Sequence, residues 1–233
     1  MNIIILMGGN NRRIGKEKAF LKIGNKTILK IMLEKLNQLR KKDDRIIIVA
    51  DNISSLQGRL SKSKFFSQHG TIDVVSDLIP GAGPLGGIYS GLAASSTEYN
   101  LVLACDMPFL NVNLIQHMLR KKSDYDILIP KYGDCFEPLH AVYSKNILPV
   151  IKQKIEQESY RIQSIFSRVK VKYITERDME KFGNWQQFFF NINTLSELKK
   201  ARKIFKQSFR ERGKLFSNLC ITESLLVQDK GGK

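Results

Sequence analysis

Short apolar runs alternate with amphipathic segments along most of the chain. The runs dominated by aliphatic residues lie at 3–6, 45–50, 72–75 and 100–105. Apolar residues at helical spacing follow at 28–39, 88–95 and 112–121. The runs are typical of buried strands, and helices between them would cover both faces of a parallel sheet. This half of the chain therefore predicts a doubly wound, three-layer α/β fold.

The pattern after residue 125 is less regular. Apolar runs at 126–130 and 138–143 flank a turn-rich segment at 131–134, which predicts a hairpin-like excursion and hence a mixed sheet. Helical spacing follows at 147–157 and 161–169, then a strand at 171–174 and a helix from Ser196 onward. We expect one domain over 1–205 and a basic, partly disordered extension over 206–233.

The chain has 233 residues and a formal net charge of +16, which attracts polyanions of any kind. Nine lysines and arginines but only three acidic residues fall between 200 and 233. This segment could be a nucleic-acid arm, but a solvated helix face followed by a frayed end is the simpler interpretation.

Cysteine spacing and the apolar runs indicate the compartment. Cys105, Cys135 and Cys220 have no metal-binding spacing and cannot all pair, which favours a reducing environment. The start has no basic leader, and no run approaches the ~20 apolar residues of a membrane span. We expect a cytoplasmic protein without membrane association.

The connection after the first strand carries the most informative motif. Glycines at this point let the backbone approach a ligand closely, and nearby cations suit phosphates. The glycines are Gly8, Gly9 and Gly15, and the cations are Arg12, Arg13, Lys16 and Lys18. The motif differs from a P-loop, because five residues instead of four separate Gly9 from Gly15 and because Glu17 stands where a magnesium-binding Ser or Thr would be needed.

A second glycine cluster at 81–87 matches GxGxxG. A dinucleotide fingerprint belongs to the first strand-turn-helix, whereas this cluster follows the third strand, and Pro84 removes an amide that would face the pyrophosphate. A dehydrogenase is therefore not favoured. We expect a flexible loop that lines one ligand together with the first glycine segment.

Carboxylates after the predicted strands are candidates for metal binding. Asp106 follows an apolar strand at the sheet edge where α/β folds bind ligands, and hard oxygen ligands suit Mg²⁺. The alternative for Asp106 is a cap of the next helix. Asp77 follows the third strand, where an ordinary turn residue is the simpler interpretation.

Two amides precede the last helix. In an extended segment Asn191 and Asn193 share one face, which suggests contact with an acceptor substrate, while Thr194 or Ser196 is a candidate N-cap. The histidines His69, His117 and His140 form no metal spacing, and we interpret them as structural.

Five motifs in order now support a family resemblance. They read LMGG…RRIGKEKAFL, VVSD…GPLGG, LACDMPFL, EPLHAVY and FNINT. Their order and spacing over residues 3 to 205 resemble the molybdenum cofactor guanylyltransferases, within the wider nucleotidyltransferase group of Rossmann-like fold. The resemblance implies a nucleotide-diphospho-sugar transferase type of fold with a mainly parallel sheet.

The resemblance also implies an activity: transfer of GMP from GTP to the phosphate of molybdopterin, with release of pyrophosphate and Mg²⁺ as cofactor. It further implies transient contacts with proteins that make or receive the cofactor. The implied GTP-binding residues are Leu6, Met7, Gly8, Gly9, Lys18, Asp77 and Asp106. Arg13, Lys18 and Asp106 would be catalytic, Asp106 would hold the metal, and Asn191 and Asn193 would contact the acceptor.

Two positions depart from the family pattern and leave alternatives open. Met7 stands where the family has alanine, and Ile14 where it has methionine, so the base pocket is reshaped. The alternatives are a related nucleotidyltransferase that uses CTP or another phosphate acceptor, and a basic nucleic-acid-binding protein that keeps the fold.

Overall fold

The computed structural model describes residues 1–7, 18–51, 53–61, 72–121 and 124–208. The strands are β1 (Asn2–Leu6), β2 (Lys22–Ile23), β3 (Lys26–Thr27), β4 (Ile46–Ala50), β5 (Ile72–Ser76), β6 (Tyr99–Ala104), β7 (Ile127–Tyr132), β8 (Cys135–Phe136), β9 (His140–Ser144) and β10 (Val171–Ile174). The helices are α1 (Ile28–Leu36), α2 (Ile53–Ser61), α3 (Gly83–Ala94), α4 (Val112–Arg120), α5 (Leu148–Glu156), α6 (Glu176–Glu180), α7 (Trp185–Phe188) and α8 (195–208).

The main sheet has the strand order β10-β7-β9-β6-β1-β4-β5, with β8 paired to β7. Neighbouring strands on this path are parallel except at β9, which runs antiparallel to both β6 and β7. The carboxyl ends of the parallel strands therefore share one edge of the sheet. The loop that leads into β9 reaches this edge too, because β9 begins where its neighbours end.

Alternation along the central strands divides the core into two layers. Ile3 and Ile5 of β1 pack in the cluster that contains α1, whereas Ile4 packs in the cluster that contains α3. All three side chains are fully buried. Successive side chains of a strand point to opposite faces of the sheet. Because both sets are buried here, helices must cover both sides of the sheet. The predicted three-layer, mainly parallel α/β fold is confirmed.

Residues 83–87 of the second glycine cluster lie in a helix, so the prediction of a flexible loop is wrong for them. The cluster does line a cavity at the carboxyl edge of the sheet, through Gly81, Gly83, Pro84 and Gly87. Helix α3 begins at Gly83, with Pro84 in its first turn, where a missing N–H leaves no helical bond unmade. The helix starts five residues earlier than predicted because its glycines allow close packing. A Cβ added at Gly91 would lie 2.4 Å from Ile4 Cγ2 of β1, and one at Gly86 would lie 2.9 Å from Ile79 O.

Other differences are local. The predicted helix at 161–169 is a 3₁₀ segment, Ile162–Arg168, and a short hairpin of β2 and β3 precedes α1. Of the expected extension at 206–233, only residues up to 208 are described, as the end of α8. Among the described residues no helix is long and apolar enough to cross a membrane.

Candidate active site

A cavity of about 640 Å³ opens at the carboxyl edge of the parallel strands. Its volume is within the range of roughly 300–1,000 Å³ that small-molecule sites occupy. Its walls come from the ends of β1, β4, β5 and β6, from the loop before β9 and from the segment before α8. The polar and charged side chains among its lining residues are Lys18, Asp51, Asp77, Asp106, Glu137, Asn191 and Asn193.

Backbone hydrogen bonds join the segments that form this cavity. Met7 N donates to Val49 O at 2.8 Å, which continues the pairing of β1 with β4 beyond the strand ends. Ile192 N donates to Asp106 O at 3.1 Å, so the segment before α8 is attached directly to the end of β6. Residues 86 positions apart in sequence are thereby held side by side.

Lys18 connects the two attached segments through its side chain. Its ammonium donates to Asp106 Oδ2 at 3.1 Å and also to Asn193 Oδ1. Both charged side chains are mostly buried, with 22% of Lys18 and 14% of Asp106 exposed. An ammonium has three donors. Two are engaged by these groups, so the third can meet a phosphate that enters the cavity.

Asp106 and Asn191 each contribute an oxygen that lacks a donor. Asp106 Oδ1 and Asn191 Oδ1 are buried, and no group in the described ranges donates to either. Buried acceptors of this kind are expensive to leave unmatched, so the site is suited to a cation or to ligand donors. Asp106 does not cap the next helix, because Asn111 Oδ1 accepts from Leu114 N and caps α4.

Hard oxygen donors fit Mg²⁺, which proteins bind through one or two carboxylates together with substrate phosphates. The described residues contain no cluster of three or more His, Cys, Asp or Glu that could hold a metal. The unmatched Oδ1 of Asp106, which lies in the cavity lining, has the chemistry that such an ion needs.

Asp77 lines the cavity while it also stabilises its own loop. Its Oδ1 accepts from Ile79 N at 3.1 Å and lies 2.9 Å from the Ser90 hydroxyl, which in turn accepts from Leu78 N. The turn interpretation is therefore confirmed for one carboxylate oxygen. The other oxygen has no partner among the described residues, so Asp77 has an acceptor left for a ligand.

The amides before α8 are positioned by a helix cap. Thr194 Oγ1 accepts from Glu197 N at 3.1 Å, which confirms Thr194 as the N-cap, and Glu197 Oε2 accepts from Asn193 N at 2.7 Å. Ile192 between the two amides is fully buried. Asn191 and Asn193 both line the cavity, as expected for residues on one face of an extended segment.

Glu137 also lines the cavity, although the sequence predicts no role for it. It accepts a hydrogen bond from the Tyr132 hydroxyl. Burial raises the pKa of Glu137, the bond from Tyr132 lowers it, and the nearby Asp106 carboxylate raises it again, with a net rise. An acidic residue followed by proline just before a predicted strand was the available signal.

Several predicted residues lie outside the described ranges. These are Gly8, Gly9, Arg12, Arg13, Gly15, Lys16, His69 and Cys220. The two described histidines are outside the lining of the cavity. His117 packs against Phe182, and His140 is fully buried against Phe189, with ring centroids 5.0 Å apart. Complete burial lowers the pKa of His140 to about 4, so it is neutral.

A family model and individual known proteins both match this chain, and the two kinds of match agree with each other. Residues 3–172 match the MobA-like NTP transferase domain. A probable molybdenum cofactor guanylyltransferase of Pelotomaculum thermopropionicum is 32% identical over 205 residues, which cover 88% of this chain and 93% of that protein. One of Methanosarcina mazei is 37% identical over 198 residues, which cover 84% and 87%.

A crystal structure extends the likeness to three dimensions. Molybdopterin-guanine dinucleotide biosynthesis protein A of Archaeoglobus fulgidus superposes with a TM-score of 0.74 at 29% sequence identity. The match covers 89% of this chain and 100% of that one.

Proposed function

The chain belongs to the MobA-like NTP transferase family, and we propose that it is a molybdenum cofactor guanylyltransferase, which transfers GMP from GTP to the phosphate of molybdopterin. The observation that carries the proposal is the convergence of Lys18, Asp106 and Asn193 in a cavity at the carboxyl edge of the sheet. Ligands of open α/β folds bind at this edge.

The nucleotide half of the cavity lies at the ends of β1, β4 and β5. Leu6 at the end of β1 and Met7 just after it line this half, where Asp77 would offer a carboxylate oxygen to the guanosine. Backbone groups of Gly8 and Gly9 would complete the base and ribose contacts. Met7 replaces a smaller residue of the family, so it narrows this side of the base pocket.

The triphosphate would extend from there towards Lys18 and Asp106. Lys18 supplies positive charge from the described part of the chain, and Arg13 would add a second cation. Asp106 would hold Mg²⁺, which supplies neutralisation of phosphate charge when it is bound. The carboxylate remains necessary because a metal held by phosphates alone would not be fixed relative to the protein.

The acceptor half lies on the other side of Asp106, next to Asn191 and Asn193. These amides can donate to the acceptor phosphate and direct one of its oxygens at the α-phosphorus. A new P–O bond then forms between acceptor oxygen and α-phosphorus, while the bond to the bridging oxygen of the β-phosphate breaks and pyrophosphate leaves. This displacement needs positioning and charge neutralisation and requires no protein nucleophile.

An assay with the four nucleoside triphosphates tests this function. The protein is incubated with each NTP, Mg²⁺ and molybdopterin, and pyrophosphate is measured. We expect release with GTP, and only when molybdopterin is present. Equal rates with all four bases, or no release with GTP, would reject the proposal.

The same assay tests the alternative that the enzyme uses CTP. Release with CTP in place of GTP would identify a cytidylyltransferase whose base pocket Met7 has reshaped. Acceptor-independent affinity for nucleic acid that survives Asp106→Asn and falls steeply with salt would instead favour a binding protein.

A further inference from the structure

Glu137 lies in a part of the cavity that the reacting phosphates do not explain. The strand order places β9 on one side of β6, while β1, β4 and β5 follow on the other. With strands about 4.8 Å apart, the loop before β9 and the loop after β5 are separated by roughly 19 Å along the sheet edge. Glu137 therefore lies at the end of the cavity opposite Asp77.

The backbone of this loop is firmly held. Glu137 N donates to Pro130 O at 3.1 Å, and Glu137 O accepts from His140 N at 3.1 Å. The buried Tyr143 hydroxyl donates to Pro138 O at 2.7 Å, and Ala104 N of β6 donates to Leu139 O at 2.9 Å. The carboxylate is thus carried by a loop that both neighbouring strands fix in place.

The side chain is fixed as well. One oxygen, Oε1, accepts from the Tyr132 hydroxyl. The Tyr132 ring packs against Trp185, with ring centroids 5.0 Å apart, and is stacked on Phe189, with ring centroids 6.1 Å apart. Burial raises the pKa of Tyr132, so its hydroxyl remains a donor. No described residue donates to the second carboxylate oxygen, which is left for a ligand in the cavity.

A carboxylate at this end of the site repels phosphate. The nearest charge is the Asp106 carboxylate, which raises the pKa of Glu137, so this end of the site carries two acidic groups. The second oxygen of Glu137 is therefore suited to a non-phosphate part of a substrate that presents N–H or O–H donors. Both substrates of the proposed function carry an amino group next to a ring N–H, GTP on its guanine and the acceptor on its pterin. The acceptor is the one whose half of the cavity contains Glu137, because β9 and the nucleotide strands lie on opposite sides of β6.

We propose that Glu137 is a specificity-determining residue that accepts hydrogen bonds from the ring N–H donors of the acceptor. This inference rests on the proposed function and deepens it. The second carboxylate oxygen receives the ring donors, and Tyr132 holds the carboxylate at the angle that this contact requires. Glu137 makes no contact with the nucleotide and takes no part in the displacement itself.

The test compares Glu137→Gln with the wild type and with a matched control, Glu176→Gln. Glu176 also accepts a single hydrogen bond, from Gly133 N at 2.9 Å, but does not line the cavity. The oxygen of the glutamine can still accept from the Tyr132 hydroxyl. Its NH₂ group then takes the place of the second carboxylate oxygen and cannot accept a hydrogen bond from the ring donors. Steady-state pyrophosphate release gives the KM values for molybdopterin and GTP, and calorimetry gives GTP affinity as a function of Mg²⁺ without acceptor.

Loss of a charge-assisted hydrogen bond predicts that Glu137→Gln raises the KM for molybdopterin by about tenfold or more. The KM for GTP and the Mg²⁺ dependence of GTP binding should equal those of the wild type, and Glu176→Gln should match the wild type throughout. Thermal unfolding checks that the variant is folded. Should Glu137→Gln not fold, Glu137→Asp, which withdraws the carboxylate by one methylene, should raise the same KM.

An active wild type with an unchanged molybdopterin KM in both Glu137 variants would overturn the inference. A shifted Mg²⁺ dependence of GTP binding would overturn it too, since Glu137 would then be a metal ligand. If the wild type itself released no acceptor-dependent pyrophosphate, the proposed function would fail first, and this result is distinct from the other two.

Discussion

The Lys18 ammonium lies 3.1 Å from Asp106 Oδ2, although the two residues are 88 positions apart in the sequence. This ion pair joins the segment after the first glycine motif to the end of β6. It holds a cation and the candidate metal carboxylate in one place before any substrate is bound.

Asp106→Asn should abolish GTP-dependent pyrophosphate release while the fold is kept. Without a charged ligand for the metal, we expect a loss of roughly 10²-fold or more in turnover. Asp73→Asn is the matched control: Asp73 pairs with Arg45 at 2.7 Å, and both side chains are partly exposed. That control should change unfolding free energy by less than about 1 kcal/mol and leave turnover intact. Equal activity of both variants would exclude Asp106 from the reaction.

Asp77→Asn and Ser90→Ala should separate nucleotide contact from loop stability. The asparagine oxygen can still accept from Ile79 N and Ser90, so stability is kept, but the second oxygen becomes an amide and the KM for GTP should rise about tenfold. Ser90→Ala removes the acceptor for Leu78 N and should lower the unfolding free energy by roughly 1–3 kcal/mol. Denaturant unfolding and GTP titration measure the two effects. A stable Ser90→Ala variant with weakened GTP binding would contradict this assignment.

Gly91→Ala and Gly58→Ala should have opposite effects on stability. A methyl at Gly91 would lie 2.4 Å from Ile4 Cγ2, so α3 must move away from β1, at a cost of about 1–3 kcal/mol. A methyl at Gly58, within α2, meets no described atom within 4 Å. Alanine there should stabilise the protein by roughly 0.4–1 kcal/mol. Chemical denaturation of both variants checks the difference; a neutral Gly91→Ala would mean that the contact relaxes freely.

His140 should make the protein less stable in acid. Its pKa is about 4 in the folded state because the ring is fully buried, against an unfolded value of about 6.5. Between these values the unfolded state binds the extra proton, so stability is complete above pH 6.5 and falls as the pH is lowered towards 4. The loss from this group is roughly 3 kcal/mol.

The variant that tests this is His140→Leu, which keeps an apolar group of moderate size against Phe189. Its unfolding free energy should vary less with pH over that interval than the wild-type value. A wild-type slope unchanged in the variant would assign the acid sensitivity to other groups.

The sequence predicted the strands that form the sheet edge because their aliphatic runs are long and uniform. Lys18, Asp106, Asn191 and Asn193 were also identified, since polar residues that directly follow or precede apolar runs lie at element ends. Their meeting in one cavity could be expected from the parallel arrangement. The hydrogen bond between Lys18 and Asn193 could not, because it depends on how α8 packs.

Helix α3 shows why other parts were missed. Glycine and proline weaken the local signal for a helix, and Gly86 and Gly91 are helical because the contacts with Ile79 and Ile4 demand small residues. Tertiary packing overrides local propensity at such positions. The role of Glu137 was missed for a similar reason, since only the reversed direction of β9 brings it to the cavity.

Because β9 runs antiparallel to its neighbours, the loops around the cavity form two structurally separate sets. Every connection proposed to bind the nucleotide follows a parallel strand. Residues 133–139 arrive from the opposite direction and are held by β6, β7 and β9 and, through Glu176, by α6. Replacement of residues 133–139 alone would change which phosphorylated acceptor is bound. The residues that bind and activate the triphosphate would stay unchanged.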